Sequence, residues 1–173
     1  HFHNALLSVP LQPFLSLPTI NNILLIGSLA LSGYGTFLLL KYLLTTEKDT
    51  SPATQQRRRM AAFLGGIVYA FTASRFVYLA LGHYNFASNH WIPFYTLYFI
   101  KTIRETRAKN ALWTGLFLTL TLSCEMTYGI FLAVFTIVYL LFTSRKKILN
   151  IQFAKRLGLL AITFLLSYSP MLY

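Results

Sequence analysis

Hydrophobic positions in this chain come in long runs, separated by short polar segments that carry nearly all the charge. Residues 1–18, "HFHNALLSVPLQPFLSLP", are apolar but interrupted by Pro10, Pro13 and Pro18. Proline lacks the helical donor and clashes with the preceding turn, so this stretch predicts a short interfacial or re-entrant helix and a turn on the outer side. Residues 19–44 hold one charge, Lys41, and are long enough to cross a bilayer with some tilt. The polar stretch "TTEKDTSPATQQRRR" at 45–59 predicts a loop. Residues 60–81 are the next apolar run, with Gly65 and Gly66 as a site for close helix approach. "GHYNFASNHW" then turns the chain, residues 91–103 return it, and "KTIRETRAKN" ends that return. Within it, "WIPFYTLYF" reads as an interfacial aromatic belt and lipid-facing surface. The last apolar runs are 111–143 and 157–173.

The run at 111–143 has 33 residues and one charge, Glu125. That is too long for one span, while two spans would each reach only about 24 Å across a core of about 30 Å. A short hairpin follows, with its tip below the outer interface and the helix break expected within 122–127. Small and polar residues gather there: Ser123, Cys124, Glu125, Thr127, Tyr128 and Gly129. Non-helical backbone at that depth requires cover from protein or a watery cavity. The pattern therefore predicts an all-α, multi-pass transmembrane helical bundle of about six spans, the hairpin included. Residues 1–173 form one domain in this reading, expected to be an internal segment of a larger membrane protein.

Composition strengthens the membrane reading. The chain is 55% hydrophobic and only 11% charged, with a mean hydropathy of +0.56. Its net charge of +11 does not indicate nucleic acid, because the basic residues form short clusters between apolar runs rather than one face. With the 45–59 loop in the cytoplasm, every Lys and Arg except Arg75 falls in or beside a cytoplasmic segment. Such clusters meet anionic lipid headgroups. One cysteine, Cys124, excludes an internal disulfide and any multi-cysteine metal site.

On this topology the outer side carries His3, Asn4, Asn21, Asn22, Arg75, His83, Asn85, Asn89, His90, Trp91 and Glu125. A guanidinium, imidazoles and amides around a carboxylate suit a phosphate or a hydroxyl-rich group. The candidate substrate-binding residues are Arg75, His83, His90 and Glu125, with Arg75 either reaching outward or meeting an anion. Plainer readings stand beside this one. Arg75 and Glu125 could pair as a structural bridge, and His83 and His90 could be ordinary interfacial residues beside Trp91. No cofactor is required, although His83, His90 and Glu125 offer ligands for a divalent metal. His1 and His3 carry little information at a chain start.

Several segments together resemble a known class. They are "LSGYG" in the first long span, "GGIVYAFTASR", "LGH", the aromatic-proline stretch, a basic loop, and a short hairpin with a polar tip followed by tyrosine. In this order they resemble bacterial multi-pass proteins of the GT-C glycosyltransferase superfamily, similar to protein O-mannosyltransferases and YfhO-like proteins. The resemblance covers roughly residues 5–143. It implies a polyprenyl-phosphate-linked sugar donor and transfer on the outer face of the bacterial plasma membrane. It also implies that Arg75 and His83 contact the lipid phosphate, with Glu125 near the sugar. In that class the catalytic carboxylate usually lies in the first outer loop, and this segment is expected to begin after it. The alternative is a non-catalytic transmembrane subunit of a larger complex, such as a bioenergetic one; a transporter is a third reading.

The orientation has a direct test. Single cysteines at Thr50→Cys and Lys146→Cys should react only with thiol reagents that cross the membrane. Ready labelling of either from outside by an impermeant reagent reverses the topology.

Overall fold

The computed structural model describes residues 2–45, 51–143 and 151–171, and these contain helices and turns but no strand. Helix α1 (Phe2–Ser8) runs through a 3-10 turn at Val9–Leu11 into α2 (Leu17–Leu44). Helix α3 is Pro52–Ala70 and α4 is Ala73–Ala80. The short α5 (Tyr84–Ala87) leads into α6 (Ile92–Arg104). Helices α7 (Ala108–Cys124), α8 (Met126–Thr143) and α9 (Ile151–Tyr168) follow. Among the described residues three segments are long and apolar enough to cross a membrane: Leu17–Leu44, Pro52–Ala80 and Ile151–Tyr168. Helices α6, with 13 residues, and α7, with 17, are shorter, as is the apolar stretch Met126–Phe142 of α8.

Several boundaries differ from the sequence reading, among them that of the last helix, which starts at Ile151 rather than at 157. Residues 52–59 are not loop: Ser51 is the N-cap of α3, accepting the Thr54 N–H at 3.3 Å, and Pro52 occupies the first turn. Proline suits that position because its missing donor would have no intrahelical partner there. Residues 46–50 of the expected loop lie outside the described residues. The run at 60–81 is also interrupted. Thr72 is extended (φ −60°, ψ 136°), and its hydroxyl donates to the Tyr69 carbonyl, ending α3 and restarting the chain as α4.

Helices α2 and α3 are antiparallel and touch through small residues. A Cβ on Gly66 would stand 2.6 Å from the Gly33 carbonyl oxygen, and one on Gly33 would stand 3.4 Å from the Ala70 Cβ. The buried face of α3 is Ala62, Gly66 and Ala70, one small residue per turn. That spacing lets two backbones approach, as helices do in lipid, where no hydrophobic force drives them together. The expectation for Gly66 holds. For Gly65, a Cβ would meet only the flexible end of Leu40.

Helix α6 is the centre of the bundle. Phe94, Tyr95, Leu97, Phe99, Ile100 and Ile103 are all buried, Phe99 completely. This overturns the reading of "WIPFYTLYF" as a lipid-facing belt. Trp91, Phe94 and Tyr98 stack on Phe117 of α7, while Phe99 meets Phe135 and Tyr139 of α8 edge-on. Across the other side, Phe94 fills the space left by Gly35 of α2. Pairings Thr102 with Thr114 and Trp91 with Phe117 run antiparallel. Pairings Tyr95 with Thr136 and Phe99 with Tyr139 run parallel. Helices α7 and α8 are therefore antiparallel to each other, a hairpin whose break at Glu125 falls inside the expected window. Helix α9 lies along α7, with Gly115 against the Leu160 backbone and Thr119 bonded to Ser167 at 2.6 Å. At the base, Arg156 donates to the carbonyls of Thr102 (2.6 Å) and Glu105, covering the C-terminal end of α6.

The glycine contacts separate two substitutions. Gly66→Ala should destabilise the folded protein in detergent by about 1–3 kcal/mol, as overpacking does. Gly27→Ala, where a Cβ meets nothing within 4 Å, should be neutral or slightly stabilising. Equilibrium unfolding followed by circular dichroism reads both.

Candidate functional site

Arg75 lies in the first turn of α4, and it is only 1% exposed. Its Nη1 donates to Ser32 Oγ at 2.6 Å, its Nη2 donates to Ser28 Oγ, and its Nε is buried without a partner. Ser28 and Ser32 are one turn apart on the buried face of α2, near the middle of that helix. Ser32 in turn donates to the Leu29 carbonyl at 2.9 Å. Arg75 therefore neither reaches outward nor pairs with Glu125. The expected structural bridge is absent, and the charge is held instead by two hydroxyls from a neighbouring span.

Glu125 answers to different partners. It closes α7, its N–H bonding the Thr121 carbonyl at 3.1 Å, and its extended backbone opens α8. Carboxylate Oε1 accepts from the Thr127 N–H (3.2 Å) and the Thr127 hydroxyl (2.8 Å), and Oε2 accepts from Asn85. A carboxylate at a helix start satisfies donors that the helix cannot and faces the positive end of its dipole. The Tyr128 hydroxyl donates to the Phe86 carbonyl beside it. The hairpin tip is thus docked on the α5 segment, and the charge inside the apolar run serves first as a cap and a tie.

His83 and His90 part company. His83 is exposed at the start of α5, with the rings of Tyr78 and Phe86 edge-on to it. His90 is 3% exposed and packs against the rings of His3 and Trp91. Its Nδ1 is buried with no partner, as is Oδ1 of the adjacent Asn89. Burial, reinforced by His3 and Arg75, pushes His90 down to about 3, and burial also lowers His3. Both rings are accordingly neutral near pH 7.

The ligand set expected from His83, His90 and Glu125 does not assemble. Among the described residues the structure gathers His3, His90 and Cys124, each buried, with their ligating atoms within 4.8 Å of one another. Helix α1 brings His3 against the end of α7, and Asn4 ties it there by donating to Ser88 Oγ at 3.0 Å. The Trp91 indole gives His3 Nε2 a long bond of 3.4 Å. Sequence reading sets His3 aside for its place at the chain start and takes Cys124 only as part of the polar hairpin tip; no spacing motif links either to His90. The serines that receive Arg75 were also missed, although Ser28, Ser32 and Thr36 recur at helical spacing in an otherwise apolar span.

The described residues also frame an apolar groove of about 590 Å³ between α2 and α3, lined by residues such as Leu29, Gly33, Phe63 and Phe71. None of the candidate site residues lines it. Comparison with family models, curated proteins and solved structures finds no match to this chain.

The arginine clamp sets a second expectation. Ser32→Ala should cost about 1.5–3 kcal/mol, the usual range for a hydrogen bond to a charged group. In an Arg75→Met background the same change should cost far less, because no buried charge is left unpartnered. A double-mutant cycle in detergent, read by equilibrium unfolding, measures the difference.

Proposed function

We propose that the chain is the membrane-embedded part of a GT-C-type glycosyltransferase taking a polyprenyl-phosphate-linked sugar at the outer face of the bacterial plasma membrane. In this reading α6, α7 and α8 cross alongside the three longer segments, and their short length leaves a wet recess at the outer rim. The observation that carries the reading is the Asn85–Glu125 bond. It joins two half-buried polar groups, from the α5 segment and the hairpin tip, beside the exposed His83 and the rings of Tyr78 and Phe86. A carboxylate and an amide flanked by aromatic faces are suited to sugar hydroxyls, and an imidazole at the rim is suited to a phosphate.

The division of labour follows from exposure. Arg75 is buried on Ser28 and Ser32, so phosphate contact falls to His83 rather than to Arg75. Glu125 already accepts from three donors, so it orients the sugar, and deprotonation of the acceptor belongs to another carboxylate. In sugar transfer the leaving lipid phosphate gathers negative charge, and an imidazole N–H aimed at it stabilises the transition state. The polyprenyl tail remains in lipid against the exposed apolar faces of the helices.

Binding of a polyprenyl-phosphate hexose to the complete protein in nanodiscs tests the reading. His83→Ala and Glu125→Gln should each weaken it about tenfold, near 1.4 kcal/mol. Equal binding by both variants and the parent, or none by any, removes this assignment and favours the non-catalytic subunit.

A further inference from the structure

The geometry points to a transition-metal site formed by His3, His90 and Cys124, and we propose that it takes a borderline-soft divalent ion of the zinc type. This inference is independent of the glycosyltransferase reading. Three observations carry it. The three side chains come from α1, the segment before α6 and the last residue of α7, yet their ligating atoms lie within 4.8 Å of one another. All three are closed off from solvent, at 8%, 3% and 1% exposure. His90, 3% exposed as a residue, has a buried ring nitrogen, Nδ1, with no hydrogen-bond partner.

An unpartnered imidazole nitrogen in an apolar interior is costly, and proteins of this size carry few such groups. A metal resolves it by accepting the lone pair. The donor set then selects the metal. One thiolate sulfur with two imidazole nitrogens suits zinc, whereas hard ions such as magnesium or calcium prefer oxygen. Cys124 must release its proton to bind, and the ion supplies the positive charge that a thiolate needs away from water. Three protein donors leave one position of a tetrahedron open to water or a further ligand.

The site also has a structural consequence. Helix α1 has only seven residues, too few to be stable alone. Its ties to the body include the Asn4–Ser88 bond and the long Trp91–His3 bond. A metal on His3 would replace the long Trp91 bond, because a metal-bound neutral imidazole has no second lone pair to accept with, and would staple this segment to the hairpin tip, where Cys124 adjoins Glu125.

The test uses the full-length protein in detergent, stripped with a chelator and then titrated with Co²⁺ and Zn²⁺. A thiolate-to-cobalt charge-transfer band, displaced by zinc, is expected in the parent, with X-ray absorption giving a Zn–S distance of about 2.3 Å. Cys124→Ser should abolish the band and the sulfur shell. His90→Ala should weaken binding by more than the roughly 100-fold that loss of an outer partner causes. Zinc should also slow amide exchange in α1 of the parent and not of Cys124→Ser. If a variant does not fold, the parent titration decides alone: the band supports the site and its absence overturns it. Binding by Cys124→Ser equal to the parent also overturns it.

Discussion

A polar group removed from water must find its partner inside the protein, and in this chain that constraint shapes each feature of interest. Apolar surroundings make an unpaired charge or amide expensive, so three buried or half-buried charged side chains each draw another element toward them. Arg75 pulls α4 onto the serine face of α2. Arg156 seals the carbonyl end of α6. Glu125 ends one helix, starts the next and holds the α5 segment through Asn85. The partners are mostly hydroxyls, amides and backbone carbonyls, which avoid the desolvation of a second ion.

Packing supplies the framework on which these ties act. The α2–α3 pair depends on small residues that let backbones meet, and the rest of the bundle depends on the aromatic stack around α6. These two modes divide the molecule. The first leaves large apolar side chains such as Phe63, Leu64 and Val68 exposed on the outside of α3. The second draws Trp91, Phe94, Phe99 and Phe117 inward, so a helix of 13 residues becomes the most enclosed element of the fold.

At one end of the bundle both modes run out. There the helices give way to α5, the hairpin tip and α1, and the polar residues left over lie at the ends of different elements. Two groups form: Asn85 with Glu125, and the enclosed trio of His3, His90 and Cys124. The first is half open and suited to a ligand with hydroxyls; the second is closed and suited to a small ion.

Features that depend on distance along one chain were legible before any folding was considered. Apolar run lengths marked the helices, and a 33-residue run with a polar centre required a break near Glu125, because span length is simple arithmetic on rise per residue. Gly66 announced close packing because only a missing side chain allows it. What the tertiary structure decided was which residues face each other. An aromatic run has the same composition whether it meets lipid or a neighbouring helix, so the burial of α6 was hidden. Arg75 could have met a carboxylate or two serines, and its partner depends on the rotation of α2. His3, His90 and Cys124 share no spacing, since three separate elements bring them together. Periodicity reports how one helix is built, whereas a site made from several helices depends on their relative placement, which no local pattern encodes.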